Sequence, residues 1–138
     1  PTYYTKRTNM NGNNMSQKKV FVSVDFDNDR ELKNGIVGQS QKEEAPFKIS
    51  GWSSKADEKN SKWIKEAKYR ITRCDVLVVM VGENTHQSAG VKKEIQIARD
   101  ANMQVFQLNG ARDESCTVVE GAGKLHDWTW DNVIKLLS

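Results

Sequence analysis

DVLVVMVGENTHQSAGVKKEIQIARDA, residues 75–101, contains a strand, a turn and a helix in one continuous stretch. Val76, Leu77, Val78, Val79, Met80 and Val81 form the most apolar run of the chain. An apolar run without polar alternation is covered on both faces, as at the centre of a parallel sheet. Gly82-Glu83-Asn84-Thr85-His86-Gln87-Ser88 then reads as a polar loop. Ser88 is placed to cap a helix over Ala89–Ala101, whose buried stripe is Val91, Ile95 and Ala98. Cys74, just before the run, is expected as a reduced, buried thiol.

Working outward, Lys19–Phe26 carries Val20, Phe21, Val22 and Val24 and reads as a second central strand. It ends in Asp25-Phe26-Asp27-Asn28-Asp29, where Asp27 or Asn28 could cap a helix across Arg30–Val37. Asn34-Gly35 interrupts that helix. Pro46-Phe47-Lys48-Ile49-Ser50 is a short outer strand, and Gly51-Trp52-Ser53-Ser54 a loop. From Glu58 to Arg73, Trp63, Ile64, Ala67 and Ile71 recur at helical spacing. Gln104–Leu108 is a fourth strand. Residues 109–127 read as irregular, with Thr117-Val118-Val119 a candidate fifth strand. Thr129 could cap a last helix on Trp130, Val133, Ile134 and Leu137. Strands alternating with helices predict an α/β fold, a three-layer flavodoxin-like sandwich around a parallel sheet of order 2-1-3-4. Ligands of such sheets bind at the strands' carboxyl ends, where the order reverses. The loops meeting there are Asp25–Asp29 and Gly82–Ser88.

A chain of 138 residues suits one domain. Residues 1–17, without apolar periodicity, are expected as a flexible tail and residues 18–138 as the domain. The sequence begins at Pro1, so residues upstream are expected to have been removed. The net charge of +3 is spread over scattered lysines, whereas nucleic-acid binders concentrate charge and interleave it with aromatics. No nucleic-acid partner is expected. Cys74, Cys116, His86 and His126 show no metal-ligand spacing, so no metal is expected either. No stretch approaches the ~20 apolar residues that span a bilayer, and no signal peptide is visible. The expected compartment is the cytoplasm, with no membrane partner.

Asp25, Asp27 and Asp29 admit several readings. An EF-hand loop fails, because Arg30 takes the glycine position and Ile36 the position of the bidentate Glu. A D-x-D phosphatase has the right strand-then-acid layout, but Gly82-Glu83 stands where a phosphate-binding Ser or Thr belongs. A response-regulator pocket lacks its phosphoacceptor Asp at the end of the 76–81 strand. Turn and capping acids remain the plain alternative. Glu94 lies three residues after Val91, on the border of the buried stripe. There its charge is favoured by the helix N-terminus, although position alone favours a solvated helix glutamate. His86 reads as a loop histidine and Trp63 as core. Trp128 and Trp130 read as anchors of the last helix. Trp52 is either a stacking platform or a cover for the sheet edge.

Taken together, Val20–Asp29 (VFVSVDFDND), Phe47–Ser53 (FKISGWS), Cys74–Ala98 with its G-E-N-T and G-V-K-K-E elements, and Gln104–Gly110 followed by Trp128-Thr129-Trp130-Asp131 resemble the TIR-like proteins of the Thoeris anti-phage defence system and their MTH538-like relatives. Enzymatic TIR domains cleave the nicotinamide–ribose bond of NAD, and some close the ADP-ribose into cyclic signals. The resemblance implies NAD as substrate without a separate cofactor, Glu94 as the catalytic carboxylate, self-association, and a downstream effector protein. In that setting Phe26 and Trp52 could stack on a ring, while Ser23, Asp27, Asn84 and Ser88 could bond ribose or amide groups. A non-catalytic signalling module is the alternative. One departure is Gly90, which stands about where such proteins often carry an aromatic residue.

Overall fold

The computed structural model describes residues 17–111 and 116–138. The tail expected over residues 1–17 lies outside the described residues except for Gln17. Its side-chain amide donates to the Ala45 carbonyl at 3.0 Å. The hexapeptide that opened the sequence reading is strand β3, Val76–Val81, and all six of its residues are buried. It pairs in parallel with β1 (Lys18–Ser23) on one side and β4 (Gln104–Asn109) on the other. Beyond β1 lies β2 (Phe47–Trp52), and beyond β4 lies β5 (Leu125–Asp127). The sheet order is therefore β2-β1-β3-β4-β5, the flavodoxin-like arrangement expected.

Helices α1 (Arg30–Ser40), α2 (Ser61–Thr72), α3 (Ala89–Asp100) and α4 (Trp130–Leu137) connect and flank the strands. The sheet separates two cores. On one face Leu77, Val79 and Val81 meet Trp63, Ala67 and Ile71 of α2 and Val91, Ile95 and Ala98 of α3. On the other, Val76, Val78 and Met80 meet Ile36 of α1 and Val133 and Leu137 of α4. A strand with a core on both sides needs apolar residues at every position, which accounts for the unbroken run. Burying each Val or Leu contributes roughly 1.5–3 kcal/mol. Cys74 is a buried free thiol, as expected. Among the described residues no helix is long and apolar enough to cross a membrane.

Three details depart from the sequence reading. The first helix is not interrupted at Gly35 but runs through it to Ser40. A Cβ at Gly35 would lie 2.5 Å from Trp128 Cη2, so this glycine seats the indole. The ring is locked there by its Nε1 donating to Gln39 Oε1 at 2.8 Å. The cap of α1 is Asp29, not Asp27 or Asn28, and its side chain makes no capping bond.

The fifth strand is Leu125–Asp127, not Thr117-Val118-Val119. The backbone at Val119 is instead tied to a buried side chain. Gln107 Oε1 accepts from Val119 N at 2.9 Å, and Gln107 Nε2 donates to the carbonyls of Val119 and Gly123. Gly121 and Gly123, with φ of 84° and 75°, supply left-handed turns that lead the chain back to the sheet edge.

Gly35→Ala tests the indole seat. Helix propensity alone favours Ala by about 1 kcal/mol. The clash with Trp128 should override it, so urea denaturation is expected to show a net loss of about 1–3 kcal/mol, the usual cost of overpacking. A stabilised variant would show that the glycine is merely a weak helix residue.

Candidate functional site

At the carboxyl end of β2 a local irregularity decides which side chains face which core. In the β1–β2 ladder Val20 pairs with Ile49 but Phe21 pairs with Gly51, so Ser50 is an extra residue. Strand side chains alternate between faces, and one inserted residue reverses the phase beyond it. Before the bulge, Phe47 and Ile49 pack with the α1–α4 core. Beyond it, Gly51 lies against Phe21 of the α2–α3 core, where a Cβ would sit 3.0 Å from the ring. Trp52 turns to α1, with Lys33 Nζ 4.6 Å from its ring centroid. Ser53 turns back toward α3.

There Ser53 meets Glu94. The Ser53 hydroxyl donates to Glu94 Oε1 at 2.6 Å, and the Ser23 hydroxyl, from the end of β1, donates to the same oxygen at 2.8 Å. Ser53 is held on both sides of its own chain: its N–H donates to the Val22 carbonyl, and its oxygen accepts from Val24 N. Glu94 is only 2% exposed, so it belongs to the buried face of α3 and is not a solvated helix acid. Burial pushes its carboxyl up to about 7, against the lowering effects of the Ser53 and Ser23 hydroxyls and the Arg70 charge. Arg70 reaches this region from α2, donating to the Ser54 hydroxyl at 3.2 Å beside Trp63 Nε1.

Gly90, one turn before Glu94, has a structural use as well. A Cβ there would lie 2.6 Å from that of Ala56, so the loop after β2 packs directly on the start of α3. Space that an aromatic side chain would need is taken by Ala56.

A second feature is a cavity of about 210 Å³ lined by Val24, Phe26, Arg30, Lys33, Trp52 and Ser53. Arg30 Cζ lies 4.9 Å from the Phe26 ring centroid. Trp52 is 44% exposed. Ser53 is the link between the two features, lining the cavity and bonding Glu94. The carboxylate itself is not part of the cavity wall.

Other sequence candidates fall elsewhere. Asp27 is exposed in the loop after β1, and Asn84 is exposed in the turn after β3. Ser88 caps α3, its hydroxyl accepting from Val91 N at 3.2 Å. Thr129 caps α4 in the same way. None of Asp27, Asn84 and Ser88 lines the cavity.

Asp29 turns to the G-E-N-T element. Its Oδ2 accepts from the Thr85 hydroxyl at 3.2 Å, that hydroxyl accepts from Gly82 N, and a Cβ at Gly82 would collide with the Asp29 carboxylate. Burial raises the Asp29 carboxyl above its ordinary range. Among the described residues, no group of three or more His, Cys, Asp or Glu is placed to hold a metal ion.

Ser53, Arg30, Lys33 and Arg70 were not singled out from the sequence. Ser53 directly follows Trp52 at a strand end, but only the bulge at Ser50 aims it at α3.

A family model described as Thoeris protein ThsB, TIR-like domain, matches residues 3–115. The chain belongs to this family. The match takes in β1 to β4 and all of the Glu94 site, while β5 and α4 lie beyond it. Membership in this Thoeris family supports a role in anti-phage defence. A comparison with curated proteins found no match.

The buried Glu94 makes a stability prediction. Its carboxyl rises from an ordinary 4.5 to about 7 in the folded chain, so between those values the folded state holds more protons than the unfolded state. Stability should therefore fall as pH rises through that window, by roughly 3 kcal/mol at about 1.4 kcal/mol per pH unit. Glu94→Gln keeps an oxygen acceptor for both serines and removes the titration. Thermal melts should show the variant gaining on the wild type from pH 5 to pH 8. Parallel profiles would mean that the carboxyl titrates normally.

Proposed function

We propose that this TIR-like domain cleaves the nicotinamide–ribose bond of NAD, with Glu94 as the catalytic carboxylate. The observation that carries this reading is the convergence of two serine hydroxyls on one oxygen of a buried glutamate, beside an aromatic cavity at the carboxyl ends of β1 and β2. A carboxylate that accepts two hydroxyl donors is suited to the hydroxyls of a ribose. Substrate hydroxyls entering here would take over the bonds that Ser53 and Ser23 make to Glu94, an exchange of like for like.

The chemistry asks little more of the protein. The C1′–N bond breaks with its electron pair passing to the nicotinamide nitrogen, which leaves as a neutral molecule. Positive charge develops at C1′, and a nearby carboxylate stabilises it. Water, or a nucleophile of the ADP-ribose itself, then bonds to C1′ and loses a proton. A carboxyl titrating near 7 is matched to accept that proton at neutral pH. Phe26 and Trp52 offer ring faces for the base. Self-association and an effector that receives the product belong to the same reading.

One observation favours a second reading, a non-catalytic signalling module. Glu94 is nearly inaccessible and lies behind Ser53, as expected of a pin between the sheet and α3. Contact with substrate requires the Ser53 segment to move aside.

Incubation of concentrated protein with NAD, followed by chromatography of released nicotinamide, separates the two. On the enzymatic reading Glu94→Gln should lower release by about 100- to 1,000-fold, the scale on which a charge-stabilising group acts. Trp52→Ala should raise KM. Release that persists in Glu94→Gln would remove that residue's role. No release from the assembled wild type would leave the signalling module.

A further inference from the structure

The two charged residues lining the cavity, Arg30 and Lys33, are both cations, and both stand in the first turn of α1. Glu31, between them, is the acid that such a helix start favours, while Arg30 and Lys33 are the cations that face the cavity. At a spacing of three residues the two side chains share one helix face, so they repel each other. Asp29 makes no capping bond and directs its carboxylate to Thr85 and Gly82. The nearby Asp25 carboxylate accepts from the Asn28 amide at 2.9 Å. Arg30 and Lys33 instead rest on the faces of Phe26 and Trp52, the ring surfaces on which a base could stack.

We propose that Arg30 and Lys33 form an anion subsite that makes this cavity selective for nucleoside diphosphates over uncharged nucleosides. This rests on the nucleotide reading above and names the part of the ligand that these residues recognise. A base stacking on the ring face that carries Arg30 or Lys33 displaces that cation. A ligand carrying phosphates supplies a new partner for the displaced charge, whereas a plain nucleoside does not. The cavity, smaller than the ~300–1,000 Å³ of a typical ligand cleft, suits one planar ring, with the phosphates on the open side beside α1.

Calorimetric titration of the full chain with ADP and with adenosine tests the subsite. ADP should bind the wild type at least about tenfold tighter than adenosine, and added salt should shrink the gap. In the double variant Arg30→Gln/Lys33→Gln the gap should vanish while adenosine binds equally well or better. The charge-preserving pair Arg30→Lys/Lys33→Arg should retain the gap, and circular dichroism checks that each variant folds. Equal affinities in the wild type, or a gap that survives the double glutamine variant, would overturn the proposal. So would cation-dependent binding of an acidic peptide by a chain that ignores ADP. A full ADP–adenosine gap without nicotinamide release would sink the NAD-cleaving reading and leave the subsite standing. Release with an unchanged KM in the double glutamine variant would sink the subsite alone.

Discussion

A single buried oxygen, Glu94 Oε1, joins three elements of the fold. It takes a hydroxyl from the end of β1, a hydroxyl from the residue after β2, and is itself carried by α3. Leaving a carboxylate in such a place without donors would cost several kcal/mol, and the two serines supply the compensation. Burial still outweighs them, which is why the carboxyl titrates near neutrality instead of in the ordinary acid range. A carboxylate that costs stability to keep charged is more readily understood at a working site than in a purely structural pin. The same bonds also hold the end of β2 against α3.

The architecture was legible because its signals are local. β3 is apolar at every position and β1 is apolar across Val20–Val22, and only a strand with a core on each face demands such unbroken runs. The caps Ser88 and Thr129 announced α3 and α4 through the chemistry of their hydroxyls. Other features depend on partners distant in sequence. Gly35 reads as a helix breaker until Trp128 is seen resting on it, nearly the whole domain later in the chain. Thr117-Val118-Val119 has strand composition, yet the Gln107 side chain takes the backbone bonds of Val119. The true edge strand, Leu125–Asp127, is three residues long with one apolar side chain, too little to show a period.

The candidate site was legible only in part, and Glu94 through the family resemblance, since its position alone favours a solvated glutamate. Glu94, Phe26 and Trp52 could be named, but their relation to one another could not, because it turns on one inserted residue. Ser50 reverses the alternation of β2, sending Trp52 toward α1 and Ser53 toward Glu94. Without the bulge the ring and the hydroxyl would exchange faces. Ser53 consequently joins the aromatic cavity to Glu94, lining the one while its hydroxyl bonds the other. The loop seated on Gly90 by Ala56 covers the start of α3 beside it.

The raised carboxyl can be observed directly. Labelling the glutamate side-chain carboxyl carbons with carbon-13 and following the Glu94 resonance by NMR through a pH titration reads the protonation of that one group. A midpoint near 7, moving higher when Ser23 and Ser53 are replaced by alanine, is the expected result. A midpoint near the ordinary 4.5 would mean that the carboxylate is hydrated in solution, and the buried three-element junction would not exist as described.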